Sequence, residues 1–137
     1  MASSGKADQH QSNDDGEDEE EWLRKYRARE KKFREDLEAK RNLQIVDVGT
    51  DGNCLFRAVA LIAYGHEEFH MMIRRMSMEY ILVNKDYFKD YIDLDKYANI
   101  EQYCEHKSHD TIWGDDLEIQ ALSEIYNCPI EIFAYSD

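Results

Sequence analysis

The sequence is short of cysteine, proline and long apolar runs, and each shortage narrows what the chain can be. Its three cysteines, Cys54, Cys104 and Cys128, are odd in number and irregularly spaced. That argues against a disulfide framework and for reduced thiols in a cytoplasmic or nuclear compartment. The longest apolar run, residues 58–64, falls far short of the roughly 20 residues that a membrane-spanning helix needs. Residues 1–11 are polar rather than signal-like, so a soluble protein with no membrane partner is expected. At 137 residues and 42% hydrophobic content, one modest domain with a tail is the expected organisation.

What the chain has in excess is negative charge, and its distribution divides the sequence in three. Residues 1–21 carry eight acids against one lysine, residues 22–42 nine bases against four acids, and residues 43–137 eighteen acids against seven bases, for a formal net charge of −13. The first segment has too little apolar surface to offset ordering entropy and is expected to be a disordered acidic tail. The second places Trp22, Tyr26, Phe33 and Leu37 on a narrow stripe of an otherwise charged helix. Acids before it and Lys40-Arg41 at its end suit the helix dipole. Interspersed acids argue against a nucleic-acid arm and for a leader helix packed on the domain.

Residues 43–137 hold the domain. Leu43 to Val48 reads as a strand, a turn follows, and Cys54 to Tyr64 is an apolar helix stopped by Gly65. His66 to Lys85 predicts a second amphipathic helix through Phe69, Ile73, Met76, Tyr80 and Val83, with the methionines as core filling. Residues 87–91 and 97–103 predict two short helical or turn elements, and residues 106–111 a polar loop. Asp115 and Glu118 have the spacing of a capping box, opening a helix whose Leu117, Ala121, Leu122 and Ile125 face inward. Asn127 can close that helix in a left-handed conformation before Pro129, the sole proline, forbids its continuation. Ile130 to Tyr135 predicts a final strand.

The stretch Asp51-Gly52-Asn53-Cys54-Leu55-Phe56-Arg57-Ala58 carries the chemistry. A thiol where a turn becomes a helix meets amides without intrahelical partners and the positive end of the helix dipole, both of which favour the thiolate. Free cysteine more often packs as a small buried hydrophobe. That reading suits Cys104 and Cys128, which have no turn before them, while Cys54 is the candidate nucleophile. Gly52 can take positive φ and bring bare backbone close to a substrate, and Asn53 and Cys54 offer main-chain amides. Asp51 reads as a turn residue bonding the backbone two positions on, a role compatible with one at the site. Cys104, His106 and His109 are close in sequence but lack a convincing fourth ligand, so no metal is expected.

This block, together with Trp113-Gly114-Asp115-Asp116-Leu117-Glu118-Ile119-Gln120-Ala121-Leu122-Ser123 and Pro129-Ile130-Glu131-Ile132-Phe133, resembles the ovarian-tumour (OTU) family of cysteine deubiquitinases. The resemblance runs from about Leu43 to the end. It implies an α/β, papain-like fold in which a small sheet of Leu43–Val48 and Ile130–Tyr135 is flanked by helices. It also implies a thiol hydrolase acting after ubiquitin's C-terminal glycine, ubiquitin or ubiquitinated proteins as partner, no cofactor, and a monomer. By the same resemblance Cys54 is the nucleophile, Gly52, Asn53 and Cys54 surround the oxyanion hole, and Asp51 orders the loop or supports a catalytic histidine. Trp113-Gly114 either lines the substrate channel or anchors its helix on the core.

No residue here matches the family's catalytic histidine, which lies on a strand beyond the segment corresponding to 129–135. The five histidines, His10, His66, His70, His106 and His109, all precede that segment. His106 and His109 could serve as a substitute base, but nothing aligns them with it. The expectation is an OTU domain cut off before its general base, inactive or weakly active. The rival is a non-catalytic ubiquitin-binding adaptor module.

Overall fold

The computed structural model describes residues 2–134, with side chains described at residues 16 and 18–134. It forms two compact units that divide after Val46. The first is α1, Ala2–Arg41. Its exposed pairs Lys25–Glu21 and Lys40–Asp36 sit at helical i,i+4 spacing, and Trp22 stacks on Tyr26 at 5.5 Å. Asn42, at φ 53°, ends it in the left-handed region that asparagine tolerates. The helix extends through the acidic stretch for which composition predicts disorder. No proline interrupts that stretch, and glutamate is a good helix former.

The second unit is helical: α2 Cys54–Tyr64, α3 His70–Val83, α4 Lys85–Phe88, a 3-10 turn Lys89–Tyr91, α5 Ile100–Lys107 and α6 Asp116–Ile125. Among the described residues there is no strand, which overturns the α/β fold with a small sheet. Leu43–Val48 and residues 130–134 are irregular, and Tyr135 lies outside the described residues. The physical reason is that a strand is defined by the ladder it shares with a neighbour. Leu43, Ile45, Val46 and Val48 supply the propensity, but the Leu43 amide turns back to the Leu37 carbonyl at 3.4 Å. Ile130 packs beside α2 and α6 while Ile132 stays 65% exposed.

Helix α3 is the centre of the unit and packs on α2, α5 and α6. One core joins Phe56, Ala60, Ile73 and Leu122; the other joins Met78, Ile81, Phe88, Ile100, Tyr103, Cys104 and Ala121. The buried face of α3 is Ile73, Arg74, Ser77, Met78 and Ile81, rotated from the expected stripe, and Val83 is 83% exposed. Gly65 caps α2 at φ 82°, its amide bonded to the Leu61 carbonyl at 2.9 Å, as an achiral residue permits.

Helices α5 and α6 are joined by polar groups taken out of water. Asp115 and Glu118 form a reciprocal capping box, the Asp115 amide donating to Glu118 Oε2 at 3.4 Å. Tyr103 donates its hydroxyl to the same oxygen at 2.6 Å. Buried Lys107 donates to Asp115 Oδ2 at 2.6 Å and to the Trp113 carbonyl at 2.8 Å, because a buried ammonium needs acceptors on every side. Burial pushes the Glu118 carboxyl up, against the opposing pull of Tyr103, Lys107 and backbone amides.

The folded chain therefore holds the Glu118 proton to higher pH than the unfolded chain. The associated stability is complete below the ordinary glutamate value of about 4.3 and is lost as pH rises through the folded value. Glu118→Gln is expected to gain stability relative to the parent as pH rises from about 4. Urea unfolding of both proteins across that range checks it, and a difference that shrinks with pH would contradict it.

Candidate functional site

Cys54 is the first residue of α2 and is exposed to solvent. The first helical bond runs from the Arg57 amide to the Asn53 carbonyl at 2.8 Å. The amides of residues 54–56 therefore have no acceptor within the helix, and no side chain caps it. The thiol thus sits where unpartnered amides and the helix dipole act together. Cys104 is the opposite case. It is buried, and burial together with the charges of Glu118 and Glu101 pushes its thiol up to about 12, which suits packing rather than chemistry.

The turn ahead of Cys54 is held from two sides. Asp51 Oδ1 accepts the Asn53 amide at 3.2 Å, the turn-residue bond expected of it. Arg57 Nε and Nη2 donate to the two Asp51 oxygens at 3.0 and 2.5 Å. That bidentate pair holds the Asp51 carboxyl well below the usual carboxylate range. Glu67 extends the cluster, accepting the Gly49 amide at 2.9 Å and lying 3.9 Å from Arg57. One consequence is that the Asn53 amide is committed to Asp51. Of the two amides expected to face an oxyanion, that of Cys54 is the one left over.

The other side is the Asn53 side chain, which is buried. Its Oδ1 accepts Arg74 Nη2 at 2.7 Å and the Thr111 amide at 3.1 Å, and its Nδ2 donates to Asp110 Oδ1 at 2.8 Å. The segment 108–111, between α5 and α6, is thereby fixed to the Cys54 turn. Gly52, at φ 86°, closes the contact: a Cβ there would lie 2.1 Å from the Thr111 carbonyl oxygen. Gly114 packs against the Leu55 side chain, where a Cβ would meet Cδ2 at 2.5 Å. Of the two roles for Trp113-Gly114, Gly114 therefore anchors its segment on α2, while Trp113 is 72% exposed.

The sequence brings Asp51, Gly52, Asn53 and Cys54 together by adjacency, but it gives no sign of Arg74, Asp110 and Thr111 as their supports. For Arg57 the signal is its place six residues after Asp51 in the same motif. Arg74 reads as one more surface cation of an amphipathic helix. The two histidines considered as a substitute base are engaged elsewhere: His106 Nδ1 is 2.7 Å from the Tyr97 hydroxyl and His109 Nε2 is 3.2 Å from Glu105. Among the described residues no three histidine, cysteine or acidic side chains converge as a metal site would require. A cavity of about 710 Å³ lies between α4, α5 and α6, bordered by Tyr87, Tyr91, Tyr97, His106 and Trp113. The Cys54 turn contributes nothing to its lining.

The comparisons with known proteins assign this arrangement. The family model described as OTU-like cysteine protease matches residues 49–137, a span that includes the Cys54 turn, α3 and the capping box. The chain belongs to the OTU-like cysteine protease family. It is 38% identical over 108 residues to the OVARIAN TUMOR DOMAIN-containing deubiquitinating enzyme 6 of Arabidopsis thaliana, covering 79% of this chain and 21% of that protein. It is 36% identical over 104 residues to the OTU domain-containing protein 5 of Homo sapiens, covering 76% and 18%. The solved OTU domain of OTUD1 superposes with a TM-score of 0.64 at 25% identity, covering 70% of this chain and 61% of that one. The OTU chain thus spans about a fifth of the length of these sequence relatives.

Gly52→Ala is expected to cost about 1–3 kcal/mol and to slow iodoacetamide alkylation of Cys54, because strain at positive φ is joined by a backbone clash. Gly65 has a similar φ but open space around its Cα. Gly65→Ala should therefore cost stability alone and leave alkylation unchanged. Equal effects of the two substitutions on Cys54 would show that the Thr111 contact is irrelevant to the turn.

Proposed function

We propose that this chain is the nucleophile-bearing part of a ubiquitin-specific thiol hydrolase. The observation that carries the proposal is an exposed cysteine on the first turn of α2, behind a fixed Asp51-Gly52-Asn53 turn, inside an OTU-like cysteine protease match. In this reading the Cys54 thiolate attacks the carbonyl carbon of ubiquitin's C-terminal glycine, and the Cys54 amide, with backbone at Gly52, receives the oxyanion. Collapse of the tetrahedral intermediate breaks the bond to the lysine amine. A general acid protonates that amine as it leaves, and water then attacks the thioester to release the ubiquitin carboxylate and restore the thiol. Asp51 orders the turn through the Asn53 amide and Arg57. Three free thiols support a reducing, cytoplasmic or nuclear setting, and the strongly acidic domain suits a basic partner surface.

The second reading, a ubiquitin-binding module without chemistry, is favoured by one feature. Among the described residues no histidine bonds Cys54, and His106 and His109 hold Tyr97 and Glu105 instead. Turnover by the 137 residues alone is expected to be low, since loss of a triad member costs about 10⁴–10⁶-fold in kcat. Nucleophilicity and turnover are therefore separable.

Mixed with ubiquitin carrying a C-terminal electrophile, the chain is expected to form one adduct, at Cys54, that Cys54→Ala abolishes and Cys128→Ala does not. Fluorogenic ubiquitin should be cleaved at only a small fraction of the rate of a complete OTU enzyme. An adduct that survives Cys54→Ala would overturn the nucleophile assignment, whereas ubiquitin binding with no adduct would favour the module.

A further inference from the structure

Arg74 is fully buried on α3, and its guanidinium has no carboxylate in salt-bridge contact among the described residues. Nη1 donates to the Lys107 carbonyl at 2.7 Å and Nη2 to Asn53 Oδ1 at 2.7 Å, while the guanidinium carbon lies 4.2 Å from the centre of the Phe56 ring. Burying a cation is expensive, and apolar packing of similar volume is often as stable or more so. The expense is not explained by packing alone.

What the guanidinium touches accounts for it. Lys107 is the last residue of α5 and leads into the 108–111 segment; Asn53 immediately precedes Cys54; Phe56 lies in the first turn of α2. One rigid planar group therefore reaches both loops and the helix that carries the thiol. Asn53 completes the link through Asp110 and the Thr111 amide. Thr111 sits at φ 67°, a conformation that a β-branched residue holds only when its surroundings impose it.

We propose that Arg74 is a positioning residue for Cys54: through Asn53 it fixes the turn that presents the Cys54 amide and thiol, and it locks that turn to the 108–111 segment. The proposal deepens the thiol-hydrolase reading and rests on it only where ubiquitin is the probe. Arg74 touches no reacting atom; it acts through Asn53 and Phe56. Lysine cannot replace it, since a single ammonium does not present two diverging donors in a plane. A further consequence is that a ligand pressing on residues 108–111 is felt at Cys54.

The test uses the full chain and Arg74→Gln. Amide exchange at Asn53 and Thr111, whose amides are bonded to Asp51 and to the Asn53 side chain, should accelerate roughly tenfold while exchange in the core of α6 is retained. The ratio of iodoacetamide alkylation at Cys54 to that at exposed Cys128 should fall by about fivefold or more, as misplacement of a reacting group entails. With the ubiquitin electrophile the maximal labelling rate should fall by a similar factor at unchanged half-saturating concentration, a split that simple loss of folded protein does not give. Arg74→Lys should not rescue it.

Unchanged exchange and an unchanged alkylation ratio in folded Arg74→Gln would overturn the proposal. If Arg74→Gln does not fold, Asn53→Ser decides by the same readouts, because it cuts the link while Arg74 keeps Lys107 and Phe56; parent-like values there overturn it equally. Failure of the ubiquitin probe to label even the parent chain would count against the hydrolase reading, with exchange and alkylation still deciding the role of Arg74.

Discussion

The hydrogen bond from Arg74 to the Asn53 side chain, 2.7 Å long and wholly out of water, is the constraint on which the rest of the site depends. A buried amide side chain must satisfy its oxygen and its nitrogen inside the protein. Asn53 does so with three partners from two other places in the chain: Arg74 on α3, and Asp110 and Thr111 before α6. Chain segments 21 and 58 residues away thus converge on the position next to the thiol. The local turn is made by Asp51 and Arg57, but its place on the protein is set by Asn53.

The arrangement divides polar labour by depth. Asp51, Arg57 and Glu67 lie near the surface, where solvent screens them and their value is geometric. Arg74, Lys107 and Glu118 lie inside, where each hydrogen bond is stronger and each missing one costlier. Lys107 joins the two sets of interactions, its ammonium closing the α5–α6 junction and its carbonyl accepting Arg74, which in turn holds the Cys54 turn through Asn53. Cys54 itself takes no part in these bonds. It is left exposed at the end of a helix whose first amides face outward, the condition that its chemistry requires.

What could be read from the sequence follows from the range of the interactions. Helix α2 runs from Cys54 to Tyr64 and stops at Gly65, as the apolar run and the glycine indicate; Asn127, at φ 47° before Pro129, behaves as expected; and the Asp115-Glu118 box forms. Each depends on residues within a few positions of one another. The proposed strands failed because their definition depends on a partner that no local pattern supplies. The face of α3 is rotated from its apolar stripe because Arg74 and Ser77, polar by type, turn inward to the Lys107 carbonyl, Asn53 and the Arg74 carbonyl itself. For the site, Asp51 to Cys54 were legible as a contiguous motif; Asp110 and Thr111, 57 and 58 residues from Asn53, were not, since a polar loop gives no hint of what its backbone touches.

The most direct measurement of the central claim is a double-mutant cycle on unfolding free energy with Arg74→Met, Asn53→Ala and the pair. If the buried bond holds the Cys54 turn to α3, the two substitutions should couple by on the order of 1–3 kcal/mol, the range seen for residues sharing one network. Additivity within about 0.5 kcal/mol, the behaviour of independent sites, would contradict it.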